Sequence, residues 1–344
     1  MPLYDLWGHS DLEIEIPKEE FPDDEWLKDK DDLFDYPEHG FFTSCYQGKK
    51  IHYRKNIPKG DVKAIVVWHH GICGQSGFGM KCAHGFTDMA LRIRKMNERG
   101  IAVYSHDSLG HGFSEGCRFY IPEGNWKLNR DDLVDFCKMA AEDYPDSPLF
   151  VTGDSYGGCL ALHAAYALQE SKAIPGFVGC SLNCPVIEGD LPSLPVIWFL
   201  RYGLAPFFPK WTPFFMPHPI TSERIWKVKE ARDYFSNSKE MHGLSRGGVP
   251  FCLGTAVGLL SALQEAQQIS HEIQLPFHIS HGDTDYGVPL SGSQHLMKYS
   301  KTPSNQKVLN VIEDGYHGMF SQPDAEEILD HEIAWIQSML QANM

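Results

Sequence analysis

Six short apolar runs punctuate the chain: Ala64 to His69, Ile101 to His106, Leu149 to Thr152, Phe177 to Leu182, Phe277 to Ser280 and Val308 to Ile312. They are apolar almost throughout rather than alternating, the pattern of strands buried on both faces of a parallel sheet. Between them lie helical periodicities over Gly85 to Glu98, Arg130 to Asp143, Gly158 to Glu170, Gly292 to Tyr299 and Ala325 to Leu340. In the last of these Leu329, Ile333, Ile336 and Leu340 share one helical face. Strand alternating with helix predicts an α/β fold, a mostly parallel central sheet with helices on both faces. Ahead of it, Phe41 to Tyr46 and Ile51 to Ile57 flank Gln47-Gly48-Lys49-Lys50, which predicts a hairpin.

The rhythm breaks after Leu182, where no strand pattern returns for about ninety residues. Pro185 to Pro219 holds eight prolines, and Trp198, Phe199, Tyr202, Phe207, Phe208, Trp211, Phe214 and Phe215 crowd into eighteen positions. The segment is expected to be a cap inserted at about 184–250 into a body spanning 41–344, behind an N-terminal extension, 1–40. One reading makes the cap a Pro-broken satellite with its own packing. The other gives it an apolar face that admits lipid or rests on a membrane, with Trp198, Phe207 and Phe208 as candidate substrate contacts.

The net charge of −15, from 45 acids against 30 Lys and Arg, argues against nucleic acid, which demands a basic face. Asp11 to Asp35 alone carry twelve acids against Lys18, Lys28 and Lys30, so much of the charge sits in the extension, read as a solvated arm. The start lacks the basic and apolar regions of a secretory signal. Phe251 to Leu263, the longest apolar stretch, has thirteen residues against the roughly 20 that span a bilayer. Nine cysteines without paired Cys-x-x-Cys spacing suit reduced thiols in small core positions of a cytoplasmic protein, with neither disulfide framework nor zinc site.

The sharpest chemical signal is Gly153-Asp154-Ser155-Tyr156-Gly157-Gly158, between the run PLFVT and a helical pattern. A serine on such a strand-to-helix turn is held in a strained conformation that presents its hydroxyl, and the flanking glycines are needed because side chains there would collide. A serine nucleophile needs a base, and the base an acid to hold its tautomer. In this topology both follow on loops at the carboxyl ends of later strands. His317, in Asp314-Gly315-Tyr316-His317-Gly318, is the base by position. Asp285 is preferred as the acid over Asp283 in His281-Gly282-Asp283-Thr284-Asp285. Two backbone amides, those of Tyr156 and Ile72, are the expected oxyanion donors. His69 and His70 invite the thought of a metal, but neighbours on a strand point to opposite faces, so no metal is expected there.

Four blocks together resemble the monoacylglycerol lipase and lysophospholipase group of α/β-hydrolases: His70-Gly71 with Ser76-Gly77; His106-Asp107 with Gly110-His111-Gly112 and Ser114-Glu115-Gly116; the turn at Ser155; and Gly282 to Asp285 followed by His317. The resemblance runs from about Phe41 onward and is weakest across the cap. It implies the α/β-hydrolase fold with an inserted cap, a Ser155, Asp285, His317 triad, an oxyanion hole at Ile72 and Tyr156, a structural His111 and no cofactor. Asp154 stands where the group usually has His, and Tyr156 where it often has Met. Gly74, Phe78 and Phe320 occupy positions where the monoacylglycerol enzymes place polar side chains near the glycerol head. These departures imply an enzyme permissive toward its alcohol.

The expected function is hydrolysis of lipid-type carboxylic esters, monoacylglycerol-like or lysophospholipid-like, with a small-molecule acyl ester as partner and a peripheral membrane contact through the cap. An esterase or thioesterase for aryl or short acyl substrates is the alternative. A catalytically silent binding module on the same fold is the remote one.

Overall fold

In a computed structural model of the chain, residues 38–77, 88–117, 119–189, 191–214, 216, 221–237 and 251–342 are described here. The acidic arm, Phe78 and Phe215 lie outside them. Eight strands form one sheet in the order β1-β2-β4-β3-β5-β6-β7-β8. The hairpin β1 (Glu38–Thr43) and β2 (Lys50–Asn56) is antiparallel, and β2 joins β4 antiparallel at the edge of the body. The remaining pairs are parallel: β3 (Ala64–His69), β4 (Ile101–His106), β5 (Leu149–Asp154), β6 (Phe177–Asn183), β7 (Phe277–Gly282) and β8 (Lys307–Ile312). This is the α/β-hydrolase fold expected from the sequence.

Period-two alternation sorts the central strands onto two cores. Ile65 and Val67 of β3, Ala102 and Tyr104 of β4, and Leu149 and Val151 of β5 pack beneath α2 (Lys127–Asp143), α3 (Tyr156–Ser171), α7 (Leu253–Ile269) and α8 (Ser291–Tyr299). Val66, Trp68, Val103 and Phe150 face the other way, against α1 (Asp88–Asn97) and α9 (Ala325–Ala342). Both faces are apolar because both are covered, which is why the runs do not alternate.

The insertion between β6 and β7 carries α4 (Leu194–Trp198), a wider helical turn Phe199–Leu204, the short α5 (Ser222–Ile225) and α6 (Lys229–Asn237). Ile225, Trp226, Ala231 and Phe235 make a small cluster of their own. The apolar stretch from Phe251 becomes α7, whose Ala262 and Ala266 join the main core. No helix among the described residues is long and apolar enough to cross a membrane. The cysteine expectation needs correction: Cys45 is exposed and Cys117 partly so, because Cys45 sits in the turn of the hairpin and Cys117 in the irregular segment that follows β4.

Candidate active site

Ser155 stands between β5 and α3 with φ 59° and ψ −120°, a left-handed conformation that a side chain adopts only under constraint. The constraint is crowding. A Cβ on Gly153 would lie 2.3 Å from the Gly157 carbonyl oxygen, and one on Gly157 would lie 2.2 Å from the His69 oxygen. Only glycine at both places lets the chain reverse this tightly. Tyr156 opens α3, so its amide has no acceptor within the helix. The loop after β3 abuts the turn: a Cβ on Gly71 would sit 3.7 Å from Ser155 Oγ. Ile72, the other expected oxyanion donor, lines the same cavity as Ser155.

That loop is anchored from behind. Asp107 Oδ1 accepts the Ser76 amide at 2.6 Å, and Oδ2 accepts the Phe113 amide at 2.9 Å and faces His52 Nδ1 at 2.9 Å. One buried carboxylate therefore ties the loop after β3 to the segment around Gly110–Gly112. His111 is buried and accepts the Cys73 amide at 3.3 Å, a structural role as expected.

His317 Nδ1 donates to Asp285 Oδ2 at 2.7 Å. Asp283 is exposed and accepts only a neighbourly bond from the Thr284 hydroxyl, 2.9 Å away, so the geometry brings Asp285 and not Asp283 to the histidine. Asp285 Oδ1 accepts the amides of Gly287 and Val288 at 2.7 and 2.8 Å. Burial alone would raise its pKa, but His317, His281 and these amides hold it well below the carboxylate range. For His317 burial favours the neutral ring, yet Asp285 outweighs it and the pKa is raised. His281, unremarked in the sequence except as part of its block, donates one ring nitrogen toward the Val288 carbonyl and meets Ser293 Oγ with the other, at 3.1 and 2.7 Å. Cys184, His281 and Asp285 place ligand-type atoms within 4.8 Å of one another, but the ring nitrogens and carboxylate oxygens are already hydrogen-bonded.

Ser155, Asp285 and His317 open on one cavity of about 1040 Å³, at the top of the range for small-molecule pockets. Its walls are apolar: Leu191, Val196, Ile197, Leu200 and Phe235 from the insertion, and Leu253, Val257, Leu260 and Leu263 from α7. Gly74 and Phe320 also line it. Trp198, Phe207 and Phe208 do not, which corrects the expected contacts; they are 64%, 73% and 42% exposed. On α4 and the turn after it, Ile197 and Leu200 share the inward face, and that places Trp198 and Tyr202 on the outer one.

The His69 and His70 expectation also fails in its reasoning. β3 ends at His69, so strand alternation does not extend to His70, and the two rings lie 4.8 Å apart on the same side. His69 Nε2 meets Ser108 Oγ at 2.8 Å, and His70 Nε2 accepts the Ser108 amide at 3.0 Å. Burial lowers the His70 pKa to about 3, leaving a neutral ring in a loop-anchoring role. Sequence reading missed a buried ionic bridge altogether. Arg92 of α1 reaches Asp154 Oδ1 at 3.3 Å and Glu332 Oε2 of α9 at 2.9 Å. The available signal was an arginine and a glutamate on the apolar faces of two helices, where unpaired charges do not occur.

The profile of the family described as serine aminopeptidase, S33, matches residues 60–324. Monoglyceride lipase of Rattus norvegicus is 27% identical over 281 residues, spanning 81% of this chain and 84% of its own. Caffeoylshikimate esterase of Arabidopsis thaliana is 26% identical over 329 residues, 93% and 89% of the two chains. A crystal structure of a soluble variant of monoglyceride lipase from Saccharomyces cerevisiae, in complex with a substrate analog, superposes with a TM-score of 0.67 at 17% identity, covering 90% of this chain and 97% of that one; the likeness is one of fold.

Proposed function

The chain belongs to the serine aminopeptidase S33 family, and from that membership and the geometry of the site we propose that it cleaves long-chain, lipid-type carboxylic esters through an acyl-enzyme on Ser155. That it is an ester hydrolase of the α/β-hydrolase type follows from the family and its relatives. The observation that carries the finer reading is the convergence of the strained Ser155, the His317–Asp285 pair and an apolar cavity of about 1040 Å³.

In this mechanism His317 removes the Ser155 proton as Oγ attacks the ester carbonyl. The amides of Ile72 and Tyr156 receive the developing oxyanion, which they stabilise more than the ground-state carbonyl. Asp285 keeps the imidazole in the tautomer with Nδ1 protonated and stabilises the imidazolium. His317 then protonates the departing alcohol, and water repeats the sequence on the acyl-enzyme. No step calls for a cofactor. The exposed Leu194, Trp198, Phe199, Tyr202, Phe207 and Phe214 around the insertion form the surface through which the protein, cytoplasmic in this reading, contacts a lipid surface.

Labelling by a fluorophosphonate probe tests the nucleophile: the wild type should label and Ser155→Ala should not. The likeness to a caffeoylshikimate esterase favours a second reading, an aryl or short-acyl esterase. A nitrophenyl ester series separates the two, since a preference for acyl chains of eight carbons or more supports the lipid reading and a preference for acetate or an aromatic acyl group overturns it.

A further inference from the structure

A second cavity, of about 430 Å³, shares no wall residue with the catalytic one. It lies between the turn of the hairpin, the segment after β4 and the insertion, which supply Lys49, Tyr120 and Lys210 to its walls. Its volume falls within the range of small-ligand pockets. Both lysines stand on pinned backbone. The Lys49 amide donates to the Tyr46 carbonyl at 3.1 Å and the Lys49 carbonyl accepts the Ser44 amide at 2.8 Å, which closes the turn around it. Beside Lys210, the first amides of α7 donate outward, Leu253 to the Trp211 carbonyl at 2.9 Å and Gly254 to the Pro209 carbonyl at 2.6 Å. Such amides have no acceptor within their own helix, so they strap the insertion down on either side of Lys210.

The chemistry of the walls is one-sided. The Lys210 ammonium lies 5.9 Å from the centre of the Tyr120 ring. The Tyr120 hydroxyl accepts the Glu123 amide at 2.9 Å, and a hydroxyl that accepts still has its own proton to give. Burial raises the Tyr120 pKa, which keeps that proton in place. No carboxylate is among the described residues that wall the cavity. Glu115 and Glu123, each next in sequence to a wall residue, are not among them, and Glu115 accepts the Lys50 amide at 2.8 Å instead. In a chain of net charge −15, a cavity whose charged walls are both positive suits a compact anion with several acceptor oxygens, a phosphate.

The surroundings of Lys210 point to the source of that phosphate. The Trp211 amide donates to the Phe208 carbonyl at 3.1 Å, so Lys210 shares one tight turn with Phe208, 42% exposed, and follows Phe207, 73% exposed, by three residues. Cations beside outward aromatics suit the boundary between headgroups and acyl chains. Resting on the reading of the insertion as a lipid-contacting surface, we propose that the cavity walled by Lys49, Tyr120 and Lys210 binds the phosphomonoester headgroup of an anionic lipid. The phosphate oxygens accept from the two ammonium groups and from the Tyr120 hydroxyl.

The test measures partitioning of the full chain onto vesicles of phosphatidylcholine alone, with phosphatidic acid, and with phosphatidylserine at matched surface charge. A protein of net charge −15 that lacks such a site is repelled by negative membranes and binds them more weakly than neutral ones. The site reverses that order. Phosphatidic acid should tighten binding at least fivefold, since a lysine at an anionic surface contributes about that factor. The gain should vanish in the Lys49→Gln, Lys210→Gln double variant and persist in the Lys49→Arg, Lys210→Arg one, with thermal melts confirming that both fold. Equal binding with phosphatidic acid and phosphatidylserine overturns the site in favour of diffuse attraction, and a loss shared by the arginine variant overturns it in favour of a packing role. Inorganic phosphate that raises the melting temperature, with no gain on phosphatidic acid vesicles, overturns the lipid source in favour of a soluble anion. Failure on phosphatidic acid with neutral vesicles still bound sinks this inference alone; failure on every vesicle sinks the lipid-contact reading beneath it.

Discussion

Replacing Asp285 by Asn isolates the acid's contribution, and the local hydrogen bonds say how the substitution acts. Oδ1 accepts the amides of Gly287 and Val288 at 2.7 and 2.8 Å, while Oδ2 accepts from His317 Nδ1 at 2.7 Å. An asparagine can satisfy two backbone donors only with its carbonyl oxygen, which turns its amide nitrogen toward His317. Nδ1 must then accept, the ring proton moves to Nε2, and the nitrogen left for Ser155 can no longer take a proton. A triad histidine trapped in the wrong tautomer loses about 10⁴ in kcat, or about 5 kcal/mol of transition-state stabilisation. Asp283, exposed and bonded to the Thr284 hydroxyl, should change activity by less than about twofold when made Asn, as surface substitutions do. Both variants are measured by kcat/KM on 4-nitrophenyl octanoate and by the rate of fluorophosphonate labelling, with thermal melts to confirm folding. An Asp285→Asn enzyme that keeps a tenth of wild-type activity, or an Asp283→Asn enzyme as damaged as Asp285→Asn, refutes the assignment and the tautomer argument with it.

The pH profile offers an independent check. His317 must be neutral to act as base, and because Asp285 raises its pKa against the effect of burial, the acid limb of kcat/KM should have its midpoint above the ordinary value of about 6.5; a midpoint below 6 contradicts this. Asp132 is a structural counterpart: burial raises its pKa to about 6, so its contribution to stability is present below about 4 and lost as pH rises through 6. Asp132→Asn should therefore gain up to about 3 kcal/mol relative to the wild type between pH 4 and pH 8, read from melts at the two pH values, and a constant difference would show that the shift is absent. Trp198→Ser, Phe207→Ser and Phe214→Ser together should weaken binding to neutral lipid vesicles and turnover of aggregated lipid more than turnover of a short soluble ester. That binding should be nearly insensitive to salt, and equal losses on both substrates would point to a structural role instead.

Much of the scaffold was legible because the physics that makes it is local. Strands covered on both faces must be apolar throughout, and Ala64–His69 and Ile101–His106 appear with the bounds that pattern implies. The turn at Ser155 was legible because two backbone approaches leave no room for a Cβ. What stayed hidden depends on direction and on distant partners. Nothing in the spacing of Trp198, Phe207 and Phe208 says which side faces the cavity, and an aromatic turned outward reads like one turned in. His70 was misjudged because the end of β3 falls one residue earlier than the alternation argument assumed. The Arg92, Asp154 and Glu332 bridge joins residues 62 and 240 positions apart, beyond any periodicity.

That bridge also bears on when the site comes into being. A chain leaves the ribosome from its N-terminus, so α1 and the turn at Ser155 emerge long before Glu332. Until α9 docks, Arg92 lacks one of its two carboxylates and the Thr152 hydroxyl lacks the Glu332 oxygen it reaches at 3.0 Å. A buried ionic network with a member missing is less stable than the finished one by far more than a surface pair would be. The strand that carries the serine thus lacks this brace until α9 has emerged and docked. A chain that has not yet made α9 therefore carries the turn at Ser155 on a strand whose far face is still missing a partner.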